Sequence, residues 1–264
     1  MNFKDKRVVL TGATGGIGSQ IAEQLSAAGA RLTLADRNAE ALQQAVEKLG
    51  TDRTIAVAAD ITSADGRQSI VDETIDCFGG IDILINSAGV SPFGSFVKQD
   101  PTMIQMTMEI NTIAPMLLTQ LVLPTMLEQD SGQIVNIGST FGSIGFAWFT
   151  AYSTSKFAMR GFSQALRREL ADTGVNVTYI APRAVKTPIN SSAVYEMAQV
   201  IKMNMDEPAH VASKIVEAVG NQKKECYIGF PESLFARINS ILPGMVDNSL
   251  RKQDRIAKEY ATRD

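Results

Sequence analysis

The run Thr11-Gly12-Ala13-Thr14-Gly15-Gly16-Ile17-Gly18 limits the folds open to this chain more than any other stretch. Before it, Arg7-Val8-Val9-Leu10 reads as a short buried strand. After it, Ile21, Ala22, Leu25 and Ala28 follow helical spacing. Strand, glycine turn and helix in that order form the setting of a dinucleotide-binding turn. Glycine lets the backbone turn sharply and approach a pyrophosphate. The helix N-terminus then offers unpaired N–H groups and a positive dipole end. The spacing is G-x-x-x-G-x-G, not G-x-G-x-x-G, and the lysine of a P-loop is absent.

Strands and helices keep alternating. Residues 31–35 read as a strand ending at Asp36, 18 residues after Gly18. A carboxylate there suits the hydroxyls of an adenosine ribose and repels a 2′-phosphate, which favours NAD. Arg37 beside it could instead receive that phosphate and favour NADP, and Asp36 could simply cap the helix that follows. Residues 54–59 form a strand ending at Asp60, placed to touch an adenine, and 63–78 a helix. Residues 81–85 form a strand opening into Asn86-Ser87-Ala88-Gly89. A long helical pattern at 103–127 carries Asn111, either an exposed polar residue or a contact near the site. A strand at 133–137 delivers Ser139, a helix spans 151–171, and a strand at 175–180 ends at Pro182. This alternation, without repeat or linker, predicts an α/β fold in one domain over 1–264. Its parallel sheet is doubly wound, with helices on both faces. Ligands of such sheets bind at the carboxyl ends of the strands, where Gly12, Asp36, Asp60, Asn86 and Ser139 all fall.

Tyr152 and Lys156 lie four residues apart, so a helix puts both on one face. A free phenol titrates near ~10. An ammonium group one turn away favours the phenolate and lowers that value. The pair is a candidate general acid/base for a carbonyl or hydroxyl group, with the Ser139 hydroxyl holding the reacting oxygen.

With 45% hydrophobic and 20% charged residues, the chain can bury a full core without disulfides. A net charge of −3 and the lack of a basic run give nucleic acid no purchase. Cys77 and Cys226 read as reduced thiols of a cytoplasmic protein. His210 is the only histidine, so no His/Cys metal cluster forms, and no metal site is expected. Residues 1–6 lack the apolar stretch of a signal peptide. The greasy stretch 116–127 is too short and too polar to span a bilayer, so no transmembrane segment is expected. Residues 188–206 read as a mobile substrate flap and 231–264 as a C-terminal helical extension. Leu234, Phe235, Ile238, Ile241, Leu242, Met245 and Val246 of that extension pack on the domain, form an interface or touch a membrane surface. The loop 142–150 carries Ile144, Phe146, Trp148 and Phe149. With Pro92, Phe93, Val194, Tyr195 and Met197 it lines an apolar substrate pocket or packs at a subunit interface.

The T-G-x-x-x-G-I-G run, Asp60, N-x-A-G at 86–89, Asn111, Ser139 and Y-x-x-x-K at 152–156 together resemble the short-chain dehydrogenase/reductase family, over roughly residues 5–190. The resemblance implies a Rossmann-like sheet of about seven strands. It also implies NAD(P)-dependent hydride transfer between nicotinamide and a carbonyl/alcohol pair. By that similarity Tyr152 gives or takes the proton. Lys156 lowers its pKa and holds the nicotinamide ribose, Ser139 positions the substrate oxygen, and Asn111 supports a water relay. The implied cofactor contacts are Gly12, Thr14, Gly15, Gly16, Ile17, Gly18, Asp36, Arg37, Asp60, Ile61, Asn86, Ala88 and Gly89. Past the sixth strand they continue with Pro182, Val185 and Thr187, the last on the carboxamide. The family forms homodimers or homotetramers through two long helices. One position departs from the pattern, because Arg183 stands where the family has glycine. A dinucleotide-binding regulator without turnover would share the fold, although it has no need of the Asn111, Ser139, Tyr152 and Lys156 set. A methyltransferase has no use for Y-x-x-x-K, and the G-x-S-x-G of a serine hydrolase is missing.

Overall fold

The structure is a computed structural model that describes residues 1–263; Asp264, the last residue of the expected extension, lies outside the described residues. The first half runs β1 (Arg7–Thr11), α1 (Gly16–Ala27), β2 (Arg31–Asp36), α2 (Ala39–Leu49), β3 (Thr54–Ala58), α3 (Ala64–Phe78) and β4 (Ile83–Asn86). Then come α4 (Pro101–Met108), a π-helical turn (Glu109–Ile113), α5 (Ala114–Glu128), β5 (Gly132–Ile137), α6 (Thr150–Glu169) and β6 (Val175–Pro182). The chain closes with α7 (Ser192–Val200), α8 (Pro208–Gly220), β7 (Glu225–Ile228), α9 (Glu232–Asn239) and α10 (Pro243–Ala261). Among the described residues seven strands pair in parallel in the order β3-β2-β1-β4-β5-β6-β7. The order reverses between β1 and β4, where an α/β sheet opens its ligand crevice.

The strands are buried on both faces, as parallel strands under crossover helices must be. Val8 and Leu10 point to one side and pack with Ile21 and Leu25 of α1 and Val211 and Ile215 of α8. Val9 points to the other and joins Ile70 of α3, Leu118 and Val122 of α5 and Leu166 of α6. Each such side chain taken fully out of water contributes about 1.5–3 kcal/mol. Local signals set the helix ends. Asn38 Oδ1 accepts from Ala41 N at 3.0 Å at the start of α2, and Ser63 Oγ accepts from Gly66 N at 2.9 Å at the start of α3.

Two expectations change. Within the expected flap 188–206, residues 192–200 form α7 instead of irregular chain. Val194, Met197 and Ala198 follow helical spacing and are buried. They join Phe146, Phe149 and Ala257 in a third apolar cluster above the carboxyl ends of the strands, with Phe141, Trp148, Met203 and Leu250 packed on it. Most of the loop aromatics are therefore covered by the chain itself, and α10 is held there partly by the Trp148 indole N–H donating to Asp254 O at 3.0 Å. Ile241, Leu242 and Met245 stay exposed. The second change concerns length. The π turn joins α4 and α5 into one helix, Pro101–Glu128, of 28 residues, whose most apolar 18-residue window has a mean hydropathy of 1.4. It is long and apolar enough to cross a bilayer by those measures, but half of its most apolar window is buried inside this fold.

Candidate active site

A cleft of about 610 Å³ lies along the carboxyl ends of β1, β2, β4, β5 and β6. Glycines shape its floor. Gly12 has φ +66°, and a Cβ there would sit 2.7 Å from Ala88 Cα, so only glycine lets the β1 turn approach the β4 turn. Thr11 Oγ1 ties the two turns by accepting from Ser87 N (3.1 Å) and Ala88 N (3.3 Å). A Cβ on Gly16 would meet Thr187 Cγ2 at 2.6 Å, which brings the start of α1 against the segment after β6. Gly12, Thr14, Gly15, Gly16, Ile17, Gly18, Asp36, Arg37, Asp60, Ile61, Ala88, Gly89, Pro182, Val185 and Thr187 all line this one cleft, with Ser139, Tyr152 and Lys156.

Asn86 does not line it. It is buried, and its amide donates to Asn136 Oδ1 (2.8 Å) and Thr119 Oγ1 (3.3 Å), tying β4 to β5 and α5 below the cleft. β4 runs one residue further than its apolar pattern and carries the Asn86 side chain into the sheet instead of to the cleft lining. Asp36 is not a helix cap, a role taken by Asn38. Its carboxylate accepts from Thr14 N (3.1 Å), Thr14 Oγ1 (2.7 Å) and Arg37 N (2.7 Å), which fixes it at the edge of the cleft. Asp60 Oδ1 accepts from Thr62 N (2.9 Å) and Thr62 Oγ1 (2.8 Å). Those bonds, the backbone one foremost, hold its carboxyl below the usual range.

Tyr152 and Lys156 stand on the first turns of α6, as their spacing predicts. Lys156 is 6% exposed and its Nζ donates to Ile137 O at 3.0 Å, 5.7 Å from the centre of the Tyr152 ring. Burial brings its pKa down to about 8, since a low dielectric disfavours the ammonium form. Burial also raises the Tyr152 phenol, while a hydrogen bond with Ser139 pulls the other way. Burial is the larger of these two influences, so the net direction for the phenol is upward.

Asn111 lies in the π turn and is 1% exposed, so the exposed-residue reading fails. Its Oδ1 accepts from Val90 N (2.8 Å), and its Nδ2 donates to Val90 O (2.9 Å) and Ser155 Oγ (3.0 Å). A wide turn inside a helix is a frequent device at functional sites. Here it accompanies a side chain that joins the loop after β4 to the first turn of α6. A Cβ on Gly89 would lie 3.1 Å from Asn111 Oδ1 and 3.8 Å from Lys156 Nζ, which makes these groups neighbours behind the cleft wall.

Three participants escape sequence reasoning. Ser155 Oγ donates to Tyr152 O at 2.7 Å and links Asn111 to the tyrosine's own backbone. Tyr179 of β6 is fully buried under the Ser139 turn. Its hydroxyl donates to Ser139 O (3.2 Å) and accepts from Ser139 N (3.4 Å). Gly138 and Gly142 are the signal that could have revealed it, because a Cβ on either would overlap the Tyr179 side chain. Arg183 is the third. Its Nη2 and Nε donate to Asp206 Oδ1 (2.7 Å) and Oδ2 (2.9 Å), and its Nη1 to Glu232 Oε2 (3.0 Å) and Phe230 O (2.9 Å). Where the family has glycine, this chain has an ion-pair clamp between β6, the approach to α8, and α9.

A family model described as short chain dehydrogenase matches residues 6–198. The chain belongs to the short-chain dehydrogenase/reductase family. It is 34% identical over 253 residues to dehydrogenase/reductase SDR family member 7B of Bos taurus, covering 90% of this chain and 78% of that protein. It is 33% identical to the ketoacyl reductase HetN of a Nostoc strain, covering 93% of this chain and 88% of that one. The structure of a short-chain dehydrogenase/reductase from Burkholderia phymatum in complex with NAD matches with a TM-score of 0.83. Its identity is 22%, over 95% of this chain and 96% of that one, a likeness of fold. This SDR chain is an oxidoreductase of the class that acts on carbonyl or CH–OH groups, and its sheet is Rossmann-like. NAD(P)-dependent hydride transfer is general to the family.

Proposed function

We propose that this enzyme interconverts a lipophilic ketone or aldehyde and its alcohol, using NAD(H) in preference to NADP(H). The observation that carries the reading is the convergence of Ser139, Tyr152 and Lys156 on one cleft whose far end holds Asp36. A nicotinamide held in that cleft would supply the hydride chemistry at the carbonyl carbon, in either direction. Gly12 to Gly18 fit a pyrophosphate at the start of α1. Asp36, already oriented by Thr14, fits ribose hydroxyls and repels a 2′-phosphate. Ser139 holds the substrate oxygen, and Tyr152 moves the proton. A phenol raised by burial is protonated at neutral pH, so in reduction it gives its proton to the oxygen as the carbon gains the hydride. In oxidation it must first be the phenolate, which the Lys156 ammonium favours. Asn111 acts behind Lys156, through Ser155 and the Gly89 turn.

The lipophilic character rests on Phe141 and Phe149, which line the cleft with ring centres 6.1 and 6.3 Å from that of Tyr152. A ketoacyl reductase among the relatives is consistent with it. Exposed Ile113, Met116 and Phe157 support a homo-oligomer built on α5 and α6. The test measures NADH and NADPH binding at equal ionic strength, with turnover of Tyr152→Phe. NADH bound at least about tenfold tighter, a gap of about 1.4 kcal/mol, is expected, together with loss of turnover in the variant. Tighter NADPH would transfer selection to Arg37. Turnover unchanged in Tyr152→Phe would refute the acid/base role.

A further inference from the structure

A second cavity of about 280 Å³ lies under the C-terminal extension, and its wall toward the catalytic cleft is a single layer of side chains. Phe141, Arg183, Ala184 and Met203 line both spaces. Phe141 stacks on Phe146 with ring centres 4.9 Å apart and meets the Tyr152 ring edge-on at 6.1 Å. The path from the proton-carrying ring to the second cavity is therefore one aromatic ring thick.

We infer that this cavity receives the apolar tail of the substrate whose oxygen rests on Ser139 and Tyr152, which makes the extension 231–263 a determinant of chain length. The inference rests on the carbonyl chemistry proposed above. Three observations support it. The deep wall is apolar, with Phe146, Ile201, Val246 and Leu250. A hydrocarbon chain laid against such a wall leaves water and gains dispersion contacts along its length. The charged residue in the shared layer, Arg183, is matched by Asp206 and Glu232, so no bare charge stands between the spaces. Met203 supplies a movable divider, since an unbranched thioether chain with three rotatable bonds changes course at little cost. A short polar ketone would satisfy Ser139 and Tyr152 and leave the second cavity unused. A ketone, aldehyde or secondary alcohol with a long, weakly branched chain would fill both.

The experiment compares kcat/KM for butan-2-one and dodecan-2-one with NADH, using the full chain, Leu250→Phe and Ser249→Phe. Ser249 lines the cavity yet is exposed, so its variant tolerates the added ring if the deeper one does not. In parallel, dodecan-2-one binding is followed through the emission of Trp148, the only tryptophan. The wild type should favour dodecan-2-one over butan-2-one by at least about tenfold, and each filled variant should lose most of that ratio. A wild type that favours butan-2-one, or variants that keep the ratio within about twofold, would overturn the tail site and leave the carbonyl reading standing. If neither ketone is turned over, the carbonyl reading falls and the emission decides the cavity. A dodecan-2-one response lost in both variants retains it as an apolar-chain site, and any other emission result rejects it.

Discussion

Arg183→Ala should destabilise the fold measurably, because it removes a poorly hydrated guanidinium that ties the end of β6 to Asp206 before α8 and to Glu232 of α9. The Arg183 side chain is 17% exposed, that of Asp206 13% and that of Glu232 28%, so water screens them poorly. Hydrogen bonds to charged groups contribute about 1.5–3 kcal/mol each in mutational series. Breaking a fully buried pair costs about 3–5 kcal/mol, mostly through the carboxylate left behind. The three bonds to Asp206 and Glu232 share one guanidinium and are partly hydrated, so a loss of about 2–4 kcal/mol is expected. For a chain of this size that lowers Tm by roughly 5–15 °C. Calorimetry of wild type, Arg183→Ala, Arg183→Lys and the Arg183→Ala/Asp206→Asn double variant is the assay. Lysine cannot span both Asp206 oxygens and should recover less than half of the loss. The double variant should be less destabilised than the sum of its parts, since it leaves no uncompensated charge at Asp206. A Tm within about 2 °C of wild type in Arg183→Ala, or full recovery by lysine, would refute the clamp.

Two further outcomes follow from the buried polar groups. Lys156 titrates at about 8 in the fold and at 10.5 when free. Its charged form is thus penalised in the folded state, fully so below pH 8. As pH rises from 8 toward 10.5 the unfolded chain holds the extra proton, and stability should rise by about 3 kcal/mol relative to Lys156→Met. Urea unfolding of both proteins at several pH values measures the difference, and parallel curves would contradict the burial argument. Tyr179→Phe keeps the ring that Gly138 and Gly142 accommodate but leaves the Ser139 N–H without that partner. It should cost about 1–2 kcal/mol and lower kcat while NADH affinity, measured by direct titration, stays unchanged. Unaltered kcat would limit Tyr179 to packing.

Much of this molecule was readable in the chain, and the reason is locality. The glycine turn, the strand-to-helix alternation and the Tyr152–Lys156 spacing depend on residues within a few positions of each other, and backbone sterics with helical periodicity fix their geometry. Because parallel strands all deliver their carboxyl ends to one edge, placing Gly12, Asp36, Asp60 and Ser139 at strand ends was enough to gather them into one cleft. The same reasoning did not place the Asn86 side chain, which turns into the sheet, because one residue of strand length turns a side chain from one face of a strand to the other.

What only the tertiary structure decided are the properties set by partners distant in sequence. Spacing alone put Lys156 one turn from the phenol, whereas the surrounding fold buries the lysine against Ile137 and desolvates both groups, raising the phenol and lowering the ammonium. Arg183 was only a departure from the family's glycine until Asp206 and Glu232 were brought to it. The residues read as a flap became α7 because Val194 and Met197 found α10 and the aromatic loop to cover them. The cavity behind Phe141 has walls from the Ser139 loop, the turn after β6 and α10, none of which identifies the others by sequence. Local chemistry is written in neighbouring residues. Burial, charge pairing and enclosed space belong to the whole fold, because desolvation depends on every atom that excludes water from a group.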